Sequence, residues 1–146
     1  MAKARDIMTE SPIIVDISSN VTDIARQLEA EDIGAVIVCN SDRRLQGMIT
    51  DRDLAVGVIA AGRDPATTTA QDLVSGREVV TIGADDSIEE AIQTMKTHAV
   101  RRLPVIDGDD VVGIISQADL ATHSGETQVG SLVEQISTAP DNTGRG

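Results

Sequence analysis

Two short segments, Gly47 to Ala55 (GMITDRDLA) and Gly113 to Ala121 (GIISQADLA), carry one frame: glycine, two large aliphatics, a hydroxyl residue, two variable positions and Asp-Leu-Ala. Each sets a hydroxyl three residues before a carboxylate, Thr50 before Asp53 and Ser116 before Asp119. At a helix start that pairing has two uses. The hydroxyl at the N-cap and the acid at the third helical position satisfy backbone N–H groups that lack helical partners. A carboxylate held there can also accept the hydrogens of a vicinal diol, because capping leaves lone pairs accessible. The two uses are compatible, and both remain open on the sequence.

The adjacent Arg101 and Arg102 are the other notable pair. Neighbours on a regular strand point to opposite faces, which would give one surface charge and one salt bridge. At the frayed start of a strand both guanidiniums can instead converge on an anion, for which planar bidentate arginine is suited. Other chemistry-bearing residues are less informative. Cys39 lies in an aliphatic run and reads as a buried core thiol. His98 and His123 have no metal-ligand spacing and no cysteine partners, so no metal site is expected. Asp107 to Asp110 (DGDD) is too short for a calcium loop. Gly57 and Gly62 have phosphate-loop spacing, but Arg63-Asp64 follows where lysine and a hydroxyl belong. An enzyme built on Asp51 and Asp53 would rest on proximity alone in an acidic chain. No nucleophile–base constellation is present, and no catalytic activity is expected.

The 146 residues carry 24 acidic and 12 basic side chains, a formal charge of −12, and no Phe, Tyr or Trp. That field repels nucleic acid and anionic membranes. No aromatic face can stack on a base, so base recognition would need aliphatic walls and backbone groups. One cysteine permits no intramolecular disulfide framework. No apolar run approaches the roughly 18–20 residues that span a bilayer, and MAKARDIMTE lacks a secretory apolar region. A soluble cytoplasmic protein is expected.

The elements that position these residues come twice, at an offset of 66 residues. Ala4–Met8 (ARDIM) answers to Ala70–Val74 (AQDLV), and the run at Ile13-Ile14-Val15 to Val79-Val80-Thr81-Ile82. Val21, Ile24, Ala25 and Leu28 fall on one helical face, as do Ile88, Ala91, Ile92 and Met95. Asn20 and Ser87 precede these series as caps, with Asp23 and Glu90 three residues on. Two aliphatic runs follow each helix, separated by a turn, with Asp107-Gly108 a strong hairpin signal. Closing helices are predicted over Asp51 to Ala61 and Gln117 to His123. Each unit therefore reads β-α-β-β-α in an α+β fold. The boundaries are 1–62 and 70–125 for the repeats and 63–69 for a linker, where Pro65 and a threonine run argue against continuous structure. Units of this size are marginal alone and should pack face to face. Val129, Leu132, Val133 and Ile136 mark an amphipathic C-terminal helix over 126–138, and 139–146 reads as a disordered tail.

Two β-α-β-β-α repeats, each closed by the glycine–hydroxyl–Asp frame, with RRLPVID upstream of the second, resemble a tandem pair of CBS domains, the regulatory Bateman module. ARDIM, DIGAVIVC, TDRD and VRRLPV are especially similar to small free-standing bacterial members associated with stress or hypoxia. The resemblance implies two repeats related by pseudo-twofold symmetry and a homodimer. It also implies a regulatory role in which AMP, ADP, ATP or S-adenosylmethionine binds in the inter-repeat cleft and an unknown effector protein reads the result, with no cofactor required. It assigns ribose contacts to Thr50, Asp53, Ser116 and Asp119, and phosphate contacts to Arg101 and Arg102. The first repeat has Gly34 and Ala35 in place of those arginines, so Arg52 or a residue from elsewhere must serve. The second site is expected to be the better phosphate binder. The alternative is a ligand-free homodimer acting through protein contacts.

Overall fold

The computed structural model describes residues 2–123 of the chain. The C-terminal helix and tail expected over 126–146 lie outside the described residues. Two compact units are present, and each has its own sheet and aliphatic core.

Ile13–Val79 forms one unit. Its sheet has the order β2-β3-β4, from Ile14–Asp16 (β2), Ala35–Cys39 (β3) and Leu45–Thr50 (β4). β2 pairs parallel to β3, and β3 antiparallel to β4. All five residues of β3 are buried, which accounts for its unbroken aliphatic composition. The helix Val21–Glu31 (α2) lies between β2 and β3 and buries Val21, Ile24 and Leu28, three of the four residues of the sequence stripe. Its cap is Asn20, whose Oδ1 accepts from Thr22 N at 2.7 Å. The reciprocal acid bond expected of Asp23 is replaced by an exposed ion pair to Arg26. The linker is ordered against this helix end: Val21 N donates to Thr68 O at 2.9 Å and Thr22 Oγ1 to Pro65 O at 2.9 Å.

The second unit joins residues 2–12 to residues from Val80 onward. Its four-stranded sheet has the order β1-β7-β6-β5, from Thr9–Glu10 (β1), Ile82–Gly83 (β5), Arg102–Asp107 (β6) and Asp110–Ser116 (β7). The helix Ile88–His98 (α5) buries Ile88, Ala91, Ile92 and Met95, the full stripe read from sequence. Ser87 Oγ caps it by accepting from Glu90 N at 3.1 Å. The β6–β7 hairpin turns at Gly108 and Asp109, with Gly108 at φ 64, the left-handed first turn position that glycine tolerates.

The repeats in the sequence and the packed units are cut at different places. The ARDIM segment forms a short helix, Ala4–Ile7 (α1), and its Ala4 and Ile7 are buried in the core of the second repeat. The AQDLV segment forms its counterpart, Ala70–Val74 (α4), and its Ala70, Leu73 and Val74 complete the core of the first repeat. Each repeat therefore carries its partner's first helix. Two glycines make room for the exchanged segments. A Cβ on Gly47 of β4 would lie 3.1 Å from Val74 Cγ1, and one on Gly113 of β7 would lie 2.8 Å from Thr9 O.

The closing elements also depart from the sequence reading. The first begins as a short α-helix, Asp51–Leu54 (α3), and continues as a π-helix over Ala55–Ala60. This apolar run includes Gly57, where a Cβ would approach Leu73 of α4 to 3.4 Å. In the second repeat the closing helix Gln117–Ala121 (α6) stays α-helical and ends at Ala121, two residues before the expected His123.

Candidate functional site

The two glycine–hydroxyl–Asp frames form the same local structure. Thr50 and Ser116 end the last strands of their sheets and are the N-caps of α3 and α6. Asp53 N donates to Thr50 Oγ1 at 3.1 Å and Thr50 N to Asp53 Oδ2 at 2.8 Å. In the second repeat Asp119 N donates to Ser116 Oγ at 3.1 Å and Ser116 N to Asp119 Oδ2 at 2.8 Å. The capping role anticipated from the spacing is therefore present at both places, in reciprocal form.

The surroundings of the two carboxylates differ. Asp119 is partly exposed. Asp53 has no exposure, and its Oδ1 is buried without a hydrogen-bond partner. This corrects the expectation that the capped carboxylates both remain accessible. A buried, half-satisfied carboxylate is a costly arrangement. Its countercharge comes from Arg77, whose Nη1 lies 3.5 Å from Asp53 Oδ2.

Sequence reasoning missed Arg77. The residue stands after α4, where Ser75 (φ −59, ψ 129) and Gly76 (φ 80) form the centre of a type II turn. The turn is closed by Arg77 N donating to Val74 O at 3.1 Å. Ser75-Gly76 is a turn signal readable from sequence. The pairing with Asp53 is not readable, because it depends on α4 packing against the repeat that precedes it.

Arg101 and Arg102 stand beside the second frame. Arg102 opens β6 directly opposite Ser116, and Arg101 lies just before the strand with its carbonyl accepting from Gln117 N at 2.8 Å. The first repeat shows the same backbone connection: Ala35 lies opposite Thr50, and Gly34 O accepts from Asp51 N at 3.0 Å. Gly34 and Ala35 are thus the structural counterparts of Arg101 and Arg102. Arg101 is exposed and Arg102 half-buried at this strand start. Arg52 is exposed on the first turn of α3.

Cys39 ends β3 as a buried thiol, and burial raises its pKa above the ordinary value. Among the described residues no three or more His, Cys, Asp or Glu side chains are grouped to share a metal ion, and no helix is long and apolar enough to cross a membrane.

A duplicated unit of this topology, closed each time by a hydroxyl–carboxylate box, defines a pair of CBS domains. The chain belongs to the CBS domain family, which matches it over residues 4–59 and 70–126. It is 40% identical to hypoxic response protein 1 of Mycobacterium tuberculosis over 93% of this chain and 94% of that protein. A crystal structure of Hypoxic Response Protein I with two coordinated zinc ions matches with a TM-score of 0.75 and 41% identity, covering 85% of this chain and all of that one. The CBS domain pair of protein MJ0100, solved with 5-methylthioadenosine and S-adenosyl-L-methionine, shares the fold at a TM-score of 0.73 and 22% identity, over 84% of this chain and 95% of that one.

Proposed function

We propose that the chain is a non-catalytic sensor that binds an adenosine-containing ligand and passes its bound state to a partner protein. Asp53 and Asp119 are its ribose acceptors, supported by Thr50 and Ser116, and Arg101 and Arg102 are its phosphate contacts. The observation that carries this reading is the carboxylate geometry. In both capping boxes the backbone bond falls on Oδ2, and at Asp53 the other oxygen is an unsatisfied acceptor. A cap uses one carboxylate oxygen, and the oxygen it leaves without a donor is an acceptor for a diol's hydroxyls. The adenosine-type ligands of the MJ0100 pair fit the same reading. Signalling then requires that the ligand bind one arrangement of the chain, or of a homodimer, better than another.

A second reading, a homodimer acting through protein contacts without ligand, is favoured by the complete burial of Asp53. Thermal unfolding with AMP, ADP, ATP and S-adenosylmethionine separates the two. A ligand at ~100 times its dissociation constant stabilises by about 2.7 kcal/mol. The sensor reading expects such a rise for at least one ligand, reduced in Asp119→Ala. It is abandoned if no ligand moves the midpoint. Arg102→Ala should weaken phosphorylated ligands far more than adenosine, and equal losses would remove the phosphate assignment.

A further inference from the structure

We infer that Arg77 is the anion-recognition residue of the first repeat, held on Asp53 until a ligand's hydroxyls take that carboxylate over. The inference rests on the reading of Thr50 and Asp53 as a ligand site.

Three observations carry it. The first is the incomplete pairing. Asp53 Oδ2 already accepts from Thr50 N at 2.8 Å, and the Arg77 contact of 3.5 Å falls on that same oxygen, leaving Oδ1 buried and unpartnered. Arginine–carboxylate pairs are frequently two-pronged forks that use both oxygens. Here Arg77 neutralises Asp53 and leaves it short of donors. A vicinal diol supplies the donors Oδ1 lacks.

The second observation is how Arg77 is delivered. Gly76 holds the left-handed position of the type II turn, at φ 80, and a Cβ there would meet nothing within 4 Å. The glycine therefore serves the backbone path and not a tight contact. That path brings a guanidinium with 24% of its side chain exposed to a carboxylate with none. The residue neutralising the buried acid is thus itself partly exposed.

The third is the comparison of the two repeats. At the repeat offset, Arg77 corresponds to Ser11, which follows β1 with φ 54. Conversely, the strand-start arginines of the second repeat correspond to Gly34 and Ala35 in the first. Each repeat thus sets arginine near its carboxylate box, from the strand start in one and from the turn after the exchanged helix in the other. A ligand in the first repeat should carry its anionic group toward α4, and one in the second toward the start of β6. The chemical class is a vicinal diol bearing a phosphate or carboxylate.

Calorimetric titration of the full chain with adenosine and with AMP tests this, in an Asp119→Asn background so that the first repeat reports alone. Arg77→Gln should weaken AMP by about tenfold or more, the scale of one charge-assisted contact, while adenosine binds as before or tighter. Arg77→Lys should recover part of the preference for AMP and keeps the buried acid neutralised should Arg77→Gln fold poorly. Equal losses for the two ligands, or no loss for either, overturn the role of Arg77 and leave the ligand reading standing. Failure of both ligands to bind the wild-type chain overturns the ligand reading itself, and this inference with it.

Discussion

Gly113 on β7 and Thr9 on β1 lie so close that a Cβ on the glycine would stand 2.8 Å from the Thr9 carbonyl oxygen, and nearer still, 2.5 Å, to Met8 Sδ. The strands pair antiparallel here, with Glu10 opposite Gly113 and Thr9 opposite Ile114. Gly113→Ala must push the strand away, because a backbone oxygen has no rotamer by which to yield. We expect a loss of about 1–3 kcal/mol, the range of an overpacked core, in chemical denaturation. Gly47→Ala should also destabilise, for a different reason: Gly47 has φ 157, which a side chain rarely adopts, and its Cβ would press on Val74 at 3.1 Å.

Removing a capping hydroxyl tests the boxes apart from any ligand. Ser116→Ala deletes the acceptor for Asp119 N and should destabilise the chain by about 1 kcal/mol, whereas Ser116→Thr should leave it near wild type. Urea unfolding midpoints decide this. A silent Ser116→Ala would show that the hydroxyl half of the box contributes nothing to stability.

The N-terminal segment should loosen in acid. Arg5 Nε donates to Asp85 Oδ1 at 2.9 Å, and this hydrogen bond is the chief cause holding the Asp85 carboxyl below its ordinary 3.8. A carboxylate with a depressed folded-state pKa adds stability above its unfolded value and loses it as pH falls toward the folded one. Protection of the α1 amides, measured against the intrinsic exchange rate at each pH, should therefore fall below about pH 4. Asp85→Asn should show the lower protection already at neutral pH, and identical protection in the two proteins would refute the link.

Cys39 should report global unfolding. Its thiol is buried and its pKa is raised by desolvation from an ordinary 9.0, so the folded protein presents little thiolate. The rate of labelling by a thiol reagent at mildly alkaline pH should track the unfolded fraction as urea is added. The sign of the shift also makes the protein less stable as pH rises past the ordinary thiol range, because the unfolded chain ionises first. Fast labelling without denaturant would contradict the burial.

Much of this was legible in the sequence. The helical stripes, the caps at Asn20 and Ser87 and the aliphatic β3 follow from local periodicity, and local periodicity is where these elements take their shape. The hydroxyl–Asp boxes were readable for the same reason, since three residues of spacing at a strand–helix junction fix them. The exchange of α1 and α4 was not. Ala4 and Ile7 announce an apolar face, as do Ala70, Leu73 and Val74, but a pattern of faces does not say which sheet each will cover. Arg77 was hidden by that ambiguity, and so was the burial of Asp53, which depends on side chains arriving from α4 and its turn.

The order in which the chain leaves the ribosome gives the exchanged helices a further meaning. Every residue of the Ile13–Val79 unit is contiguous, so it can complete its core early in synthesis. The other unit joins residues at opposite ends of the described chain; the Arg5–Asp107 contact alone spans 102 positions. Of the described elements α1 is synthesised earliest, yet its apolar Ala4 and Ile7 belong to a core whose other residues lie from Ile82 onward. In order of synthesis, the residues of the Ile13–Val79 unit are complete before those of the other, and the earliest described helix belongs to the later core.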